Sequence, residues 1–365
     1  MKLRVLKLAA LLALSVLALA ACPDAILATI DTAQKTATNT LFQTIFIYDI
    51  AVPAPASYYV AAGRVFQGTL NGTTVTWNPD QDSTAKPWNP PGLVCNAMTL
   101  FSGNLYGGFF ASDGTPSLWQ SSVGPNYSFA SGTELTMQST GEQVTGLSTD
   151  GANLFVSGAV MSGSNFVFQL EYSPTPGTEG IGTWQSVMTG KPYPVLPVAF
   201  DGTNYWTASG ATLYESASGL GGFSPVAGNW GTINGVFADA SNVVVCTKTN
   251  GVFYYNGTWH QVQPDHQGTV TVSYLCSSPA IASGIYLIGS DGYGYYTLNT
   301  SNGTLSRYGD STTVLYTAAV SRIVLDNSSG NHIVLMGTYS KGLWRTVYDP
   351  LGGSVPASGQ SWINE

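Results

Sequence analysis

Three aspartates occupy the same place in successive repeats of the sequence, and their carboxylates are its first candidates for chemistry. Asp150, Asp201 and Asp239 each follow a short apolar segment, and each precedes an Asn by three residues. Carboxylates gathered in a ring suit Ca²⁺ or another cationic ligand, because hard cations take oxygen ligands. Asp at a tight turn more often bonds the backbone N–H groups that follow it. The sequence therefore predicts three candidate binding residues, with hairpin capping as their more common alternative role.

Side chains for catalysis do not cluster in the sequence. His260 and His266 flank a Pro-Asp turn, and His332 begins an apolar segment. Two histidines and one Asp in a loop are usually solvated polar residues, whereas a metal hydrolase needs a denser set of ligands. No Gly-x-Ser-x-Gly elbow accompanies a suitable histidine, and no phosphate-binding loop is present. We expect no catalytic residue, no metal site and no cofactor, and we predict that the chain is not an enzyme.

The N-terminus has the pattern of an export signal. Residues 1–21 combine three basic residues with an apolar run from Leu8 to Ala18 and end in small residues. That run is too short for a confident membrane-spanning helix, and its small-residue end is typical of a cleavable signal peptide. We expect residues 1–21 to be removed on export.

Cys22 is the candidate for covalent modification. The segment Leu19-Ala20-Ala21-Cys22 resembles the bacterial lipobox of lipoprotein precursors. The resemblance implies cleavage before Cys22, a lipid on its sulfur and an acyl chain, such as palmitate, on its amine. Two or three chains hold firmly, since each buried methylene contributes about 0.8 kcal/mol. We expect a protein of the bacterial cell envelope with the membrane as a partner, periplasmic or surface-facing; an ordinary signal followed by a chance Cys is the alternative.

The other three cysteines are Cys95, Cys246 and Cys276, and they do not form a recognisable framework. An odd number cannot pair completely, and the spacing differs from the paired CxxC of a zinc site. The apolar neighbours of Cys246 and Cys276 favour small buried strand residues. In an oxidising compartment the alternative is that one disulfide forms, for example between Cys246 and Cys276.

Composition favours short strands over long helices. Charged residues make up 9% of the chain, against about 25% in typical domains. Amphipathic helices need charged outer faces, whereas strands and turns need the β-branched, aromatic, Gly, Asn and Ser residues that are abundant here. The formal charge is −8, and loss of the three bases in residues 1–21 makes the mature chain more acidic. This charge argues against a nucleic-acid partner, which would require phosphate neutralisation.

A repeat organises the chain after residue 45. An apolar strand, a polar turn often ending in Asn, and an apolar–aromatic strand recur with anchor positions at 104, 153, 204, 242, 284 and 331. Each copy is followed by a second hairpin strand and, in most copies, by a short strand containing Trp. Four short antiparallel strands in a unit of this length are typical of propeller blades. The sequence predicts an all-β, seven-bladed β-propeller over residues 45–365.

The last copy carries a family resemblance. The segment from Gly337 to Thr346 resembles the strand–turn–strand of sialidase-like (Asp-box) and photosystem-assembly-factor-like propellers. The chain departs from a true Asp-box at Ser112 and Ser290, where Asp follows Ser directly. Sialidase activity would require three arginines around the substrate carboxylate. The mature chain has four, Arg64, Arg307, Arg322 and Arg345, but Arg64 and Arg345 occupy equivalent strand positions far from the expected channel mouth, so too few are left for such a site. The resemblance therefore implies the architecture alone.

Residues 22–44 form a tether between the lipid and the propeller. Apolar residues recur at steps of three and four, which favours an amphipathic helix, although the many Thr residues lower helix propensity. A flexible spacer is the alternative.

Together these patterns predict an envelope-anchored lipoprotein whose propeller is a binding or scaffolding module for a protein or glycan. The alternative is an envelope hydrolase or lyase with its site at the mouth of the propeller channel. A further option, by fold analogy, is a subunit that assists outer-membrane protein assembly.

Overall fold

A computed structural model of the chain describes Phe42 and residues 45–365, except for 73, 78–89, 91, 112–115, 122–126, 136, 138–142, 177–183, 218–219, 221, 264–270, 310, 328–329 and 331. The predicted signal peptide, Cys22 and nearly all of the predicted tether lie outside the described residues, as does His266. Cleavage, lipidation and the tether helix therefore stay predictions.

The described residues contain 28 strands and no α-helix, with one 3₁₀ turn at Val314–Thr317. The strands in chain order are β1 Asp49–Ala54, β2 Ser57–Ala62, β3 Arg64–Asn71, β4 Thr74–Trp77, β5 Leu93–Phe101, β6 Asn104–Ala111, β7 Pro116–Gln120, β8 Thr133–Leu135, β9 Gln143–Thr149, β10 Leu154–Ser162, β11 Asn165–Ser173, β12 Gln185–Lys191, β13 Ala199–Phe200, β14 Tyr205–Ser209, β15 Thr212–Ser216, β16 Ser224–Val226, β17 Ile233–Ala238, β18 Val243–Thr247, β19 Val252–Tyr255, β20 Trp259–Val262, β21 Tyr274–Ala282, β22 Ile285–Ser290, β23 Tyr295–Asn299, β24 Thr304–Arg307, β25 Val320–Asp326, β26 Ile333–Thr338, β27 Leu343–Val347 and β28 Ile363–Asn364.

These strands form seven four-stranded antiparallel sheets, β1–β4 to β25–β28, in which each strand pairs with its neighbours in sequence. The sheets are the blades of a ring, and the predicted seven-bladed β-propeller is confirmed. We number the blades 1 to 7 in chain order, and the first strand of each blade is the innermost.

Burial explains which residues occupy which strand. The second strands of blades 4 and 5, β14 and β18, are buried at every position because neighbouring strands and neighbouring blades cover them on all sides. Strand β4 lies at the outside, and its residues alternate between exposed and buried. The continuous apolar runs and the alternating runs of the sequence therefore reflect distance from the ring axis.

A bulge near the start of the innermost strand holds neighbouring blades together. In five blades one extra residue is inserted there: Asn96, Thr145, Asn234, Leu275 and Ser321. Three of these side chains bond a carbonyl oxygen of the next blade: Asn96 to Val144, Asn234 to Tyr274 and Ser321 to Ile47, each at 2.8 Å. The bulge re-aims a polar side chain, as bulges commonly do, and here it points toward the neighbouring sheet.

Glycines allow the close approach at the same junctions. A Cβ on Gly108 would lie 2.5 Å from Val144 Cγ1, and one on Gly337 would lie 2.5 Å from Ile47 Cγ2. Real Cβ contacts are essentially never this short, so a side chain at either position would force the neighbouring blade to shift.

Blades 7 and 1 close the ring through polar contacts. Glu365 accepts hydrogen bonds from Arg345 Nε at 2.5 Å and from Trp77 Nε1 at 2.9 Å. Its backbone oxygen accepts the N–H of Phe42 at 3.0 Å, and Phe46 pairs with Tyr339 in an isolated bridge. Glu365 therefore joins the outer part of the last blade to the outer strand of the first blade.

The three described cysteines are free thiols, and no disulfide forms among them. Cys95 and Cys246 are fully buried on strands, as the sequence favours. The Cys276 thiol donates to Val320 O at 3.5 Å, and burial raises its pKa to about 12. Among the described residues, no helix has the length and hydropathy needed to cross a bilayer.

Candidate functional site

Each propeller has two faces, and we name them by the innermost strands. The top face is where the innermost strands begin, and it includes the connections between second and third strands. The bottom face is where the innermost strands end, and it includes the connections from first to second strands and from third to fourth strands. Asp150, Asp201 and Asp239 follow β9, β13 and β17 directly, so all three lie on the bottom face, in blades 3, 4 and 5.

Each of the three carboxylates closes its own hairpin. Asp150 Oδ1 accepts the N–H groups of Ala152 and Asn153 at 2.8 and 2.6 Å. The same two bonds recur at the other hairpins, from Thr203 and Asn204 to Asp201 and from Ser241 and Asn242 to Asp239. The capping role that the sequence offered as the alternative is therefore present at all three positions.

The second carboxylate oxygen is used as well. Tyr205 of blade 4 donates to Asp150 of blade 3, and Tyr286 of blade 6 donates to Asp239 of blade 5, each at 2.8 Å. Blade 1 repeats the arrangement with blade 7, where Tyr58 donates to Asp326 at 2.8 Å. Asp201 instead accepts the indole N–H of Trp206, in its own blade, at 2.8 Å.

These bonds alter the acidity of the tyrosines. Burial, the hydrogen bond to Asp150 and its negative charge raise the pKa of Tyr205 to about 12. The same causes raise the pKa of Tyr286 and Tyr58 further. Ionisation of the phenol would remove the donor and place two negative charges side by side, so these hydroxyls stay protonated over the physiological range.

Two of the predicted residues share one cavity. Asp201 and Asp239 line a cavity of about 270 Å³ between the hairpins of blades 4 and 5. Its remaining wall consists of residues from the same hairpins and from the turn between β19 and β20: Thr203, Asn204, Ala240, Ser241, Asn242, Val243, Tyr255 and Gly257. Asp150 is not part of this wall. The structure therefore brings two of the three aspartates together, and whether any of them binds a ligand stays a prediction.

The described bottom-face connections of blades 3, 4, 5 and 7 carry acidic residues. They contain Asp150, Asp201, Asp239 and Asp349, and the part of this face that the structure describes has neither Lys nor Arg in its connections. In the described connections of the top face, one acidic residue, Asp291, is accompanied by Lys248 and Lys341. Among the described connections, uncompensated carboxylates are therefore concentrated on the bottom face, which favours positively charged partners there.

Adjacent aromatic pairs in the sequence suggest either one buried and one partly exposed ring on each strand or, as the favoured alternative, packing of both rings between blades. Both rings are buried in three of the four pairs, Tyr58-Tyr59, Tyr205-Trp206 and Tyr295-Tyr296, as the favoured alternative predicts. The second strand and the third strand of a blade are covered on both faces by neighbouring blades, so both members pack. Only in the pair Tyr254-Tyr255 is one ring partly exposed, and Tyr255 is the ring that lines the cavity.

Exposed aromatic rings occur mainly on the top face. Phe46, Tyr48 and Tyr339 are each at least two-fifths exposed. The centre of the Phe46 ring lies 6.5 Å from that of Tyr48 and 6.1 Å from that of Tyr339. They adjoin the junction of blades 7 and 1. This patch is a second surface available for contact with another molecule.

The described histidines do not assemble a reactive site. His260 lies on the outermost strand of blade 5, stacks on Tyr254 and bonds Asn256 and Thr258. His332 packs against Tyr348. Within the described residues, no three His, Cys, Asp or Glu side chains lie close enough to hold a metal ion. The absence of enzymatic activity stays a prediction.

Sequence reasoning missed the tyrosines and the cavity. Tyr205 and Tyr286 bond carboxylates 55 and 47 residues earlier in the chain, so their partners depend on which blades are adjacent. The recurring Tyr near the start of a second strand was the available signal. The sequence offered no signal for Asn242 or Tyr255, because their place in a cavity results from the packing of two blades.

Comparisons with known proteins place the chain by fold. No model of a known protein family matches the sequence, and no curated protein sequence matches it either. A solved structure of YCF48 bound to D1 peptide is similar, with 11% identity and a TM-score of 0.57 over 84% of this chain and 93% of that one. The computationally designed Ika8 protein has 13% identity and a TM-score of 0.54 over 86% of each chain.

At such identities the likeness shows the fold alone. It agrees with the propeller part of the sequence resemblance, while the likeness to sialidases stays a prediction. The chain is a seven-bladed β-propeller, an architecture consistent with a binding or scaffolding module.

Proposed function

We propose that this protein is an envelope lipoprotein whose propeller holds a protein partner on its bottom face. One observation carries the proposal: the described connections of the bottom face contain four acidic residues and neither Lys nor Arg, and a cavity there is lined by Asp201 and Asp239. A face of one charge sign attracts a complementary partner and orients it before contact. The YCF48 neighbour, which is bound to a peptide, supports a protein rather than a glycan as partner.

The anchor is supported by the lipobox resemblance at Cys22. Cys22→Ser should abolish attachment of the lipid to the protein. The protein should then leave the membrane fraction, because the acyl chains supply the free energy of membrane binding. Metabolic labelling with a palmitate analogue checks the modification itself. Label that persists in Cys22→Ser would contradict the anchor, and Cys276→Ser, a matched cysteine variant inside the propeller, should label normally.

The binding face is tested by site-specific crosslinking in intact cells. A photo-crosslinking residue at Ser241 samples the bottom face, and one at Ser340 samples the top face; both side chains are exposed. We expect a discrete adduct from Ser241 that disappears when Asp150, Asp201 and Asp239 are all changed to Asn. An adduct from Ser340 alone would move the partner to the aromatic patch of the top face and overturn the proposal.

The enzyme alternative has its own test. Purified protein should not turn over sialosides, esters or phosphoesters, because the sequence offers no nucleophile–base pair. Hydrolysis that purifies with the protein and disappears in His260→Ala would replace the binding module with the hydrolase or lyase.

A further inference from the structure

The cavity between blades 4 and 5 has the size of a side-chain pocket. Its volume is about 270 Å³, just below the range of about 300–1,000 Å³ for pockets that bury a drug-sized ligand. It opens on the bottom face, between the hairpins that follow β13 and β17. A space of this size suits one long side chain of a partner better than a whole metabolite.

The charged groups in the wall of the cavity are the carboxylates of Asp201 and Asp239, which accept hydrogen bonds and donate none. Asp201 Oδ2 and Asp239 Oδ2 each accept one bond, from Trp206 and Tyr286 respectively. An ionised carboxylate has about four acceptor positions, so each can accept more. The cavity therefore offers acceptors to a ligand that brings donors.

A buried acceptor in the wall has no partner. Asn242 is only 6% exposed and lines the cavity. Its Nδ2 donates to Tyr286 at 2.8 Å, while its Oδ1 has no hydrogen-bond partner. A buried polar atom without a partner costs about 1–3 kcal/mol, so this oxygen is an independent indication that a donor is missing.

Negative charge near the cavity lacks compensation. Burial and the charge of Asp201 raise the pKa of Glu215, which lies beside Trp206 on the neighbouring strand. Neither the hairpins nor the other connections of the bottom face contain Lys or Arg within the residues that the structure describes. The cavity thus combines several acceptors with an uncompensated negative potential.

We propose that this cavity receives an arginine side chain of the protein partner. A planar guanidinium brings five N–H donors without an acceptor and matches carboxylates on either side of it. Tyr255, whose ring packs against Trp206 and Trp259, adds an aromatic residue to the same wall, and a guanidinium is attracted to aromatic rings. The described residues bring no three metal-ligating side chains together, which favours an organic cation. This inference rests on the proposed binding function and specifies the chemical group by which the partner is recognised.

The experiment uses the purified full-length protein and two short peptides that differ in one side-chain group, the charged guanidinium of arginine or the neutral ureido group of citrulline. Acetyl-Gly-Arg-Gly-amide is compared with the same peptide containing citrulline, the neutral isostere of arginine. The readouts are calorimetry and the NMR signal of the Trp206 indole N–H, which is bonded to Asp201. We expect the arginine peptide to bind about ten-fold more tightly, the ratio for one charge-assisted bond, and to shift the indole signal.

Matched variants locate the binding. Asp239→Asn keeps an oxygen for the hairpin bonds but removes the charge. It should lower the affinity for the arginine peptide about ten-fold. Asp291→Asn removes an exposed carboxylate from a connection of the top face, outside the cavity, and should leave affinity unchanged. If Asp239→Asn fails to fold, Ala240→Trp fills the exposed rim of the cavity without removing a hairpin bond, and it should block the peptide.

Equal binding of the arginine and citrulline peptides would overturn the inference, as would affinity that survives both Asp239→Asn and Ala240→Trp. A cavity occupied by Ca²⁺ in preference to the peptide would overturn it too. These failures are distinct from failure of the proposed function, because a Ser241 adduct could still show a partner on the bottom face.

Discussion

At the scale of single residues, the tyrosine–aspartate bonds between blades should contribute measurably to stability. Tyr286→Phe removes only the hydroxyl that Asp239 and Asn242 share. Hydrogen bonds to charged groups contribute about 1.5–3 kcal/mol, so we expect a loss of about 2 kcal/mol in the free energy of unfolding. Denaturant titration checks this. Tyr193→Phe, at a ring that is 59% exposed, is the control, and an equal effect of both changes would contradict the assignment.

The same residues predict sensitivity to alkali. The folded pKa of Tyr205 and of Tyr106 is raised to about 12, chiefly by burial, from an unfolded value near 10. A raised tyrosine pKa favours folding below the unfolded pKa, and that contribution is lost as pH rises through the folded pKa. Stability should therefore fall between about pH 10 and 12. Unfolding followed at several pH values, with Tyr106→Phe reducing the slope, checks the prediction; a flat profile would contradict it.

At the scale of elements, the blade junctions depend on glycine and on the bulge. Gly337→Ala places a Cβ 2.5 Å from Ile47 at the junction of blades 7 and 1. Overpacking of this kind costs about 1–3 kcal/mol, and we expect a loss in that range. Gly309→Ala is the matched control, because nothing lies within 4 Å of its Cβ and its backbone is not in the left-handed region. Equal midpoints for the two variants would show that the junction can relax.

At the scale of the whole molecule, Glu365 is the residue on which ring closure depends most. Glu365→Gln leaves Arg345, which is 3% exposed, without its charged partner. Breaking a buried ion pair costs about 3–5 kcal/mol, so thermal unfolding should occur at a clearly lower temperature. Glu134→Gln, on an exposed outer strand, should change nothing. If Glu365→Gln unfolds at the same temperature as the parent protein, closure of the ring does not depend on the pair of Glu365 and Arg345.

The two faces of the molecule have different roles in this description. The acidic bottom face with its cavity is the proposed partner surface, and the top face carries the exposed rings of Phe46, Tyr48 and Tyr339. A soluble partner with a net positive surface should associate faster at low salt than at high salt, since exposed charges are screened. Salt-independent association would favour the aromatic patch.

The sequence by itself determined the local features of this protein. The period of the repeat predicted seven blades, because each blade is one continuous stretch of chain with hairpins between its strands. The positions of Asp150, Asp201 and Asp239 were readable for the same reason, since their capping bonds reach only two or three residues along the chain.

The tertiary structure alone decided what lies between blades. Tyr58 meets Asp326, 268 residues away, and Trp77 meets Glu365, 288 residues away. Such pairs depend on the angle at which neighbouring blades pack and on the side chains that meet where the first and last blades close the ring, and local spacing encodes neither. The cavity that joins Asp201 to Asp239, and excludes the equivalent Asp150, arises in the same way from the packing of two separate sheets.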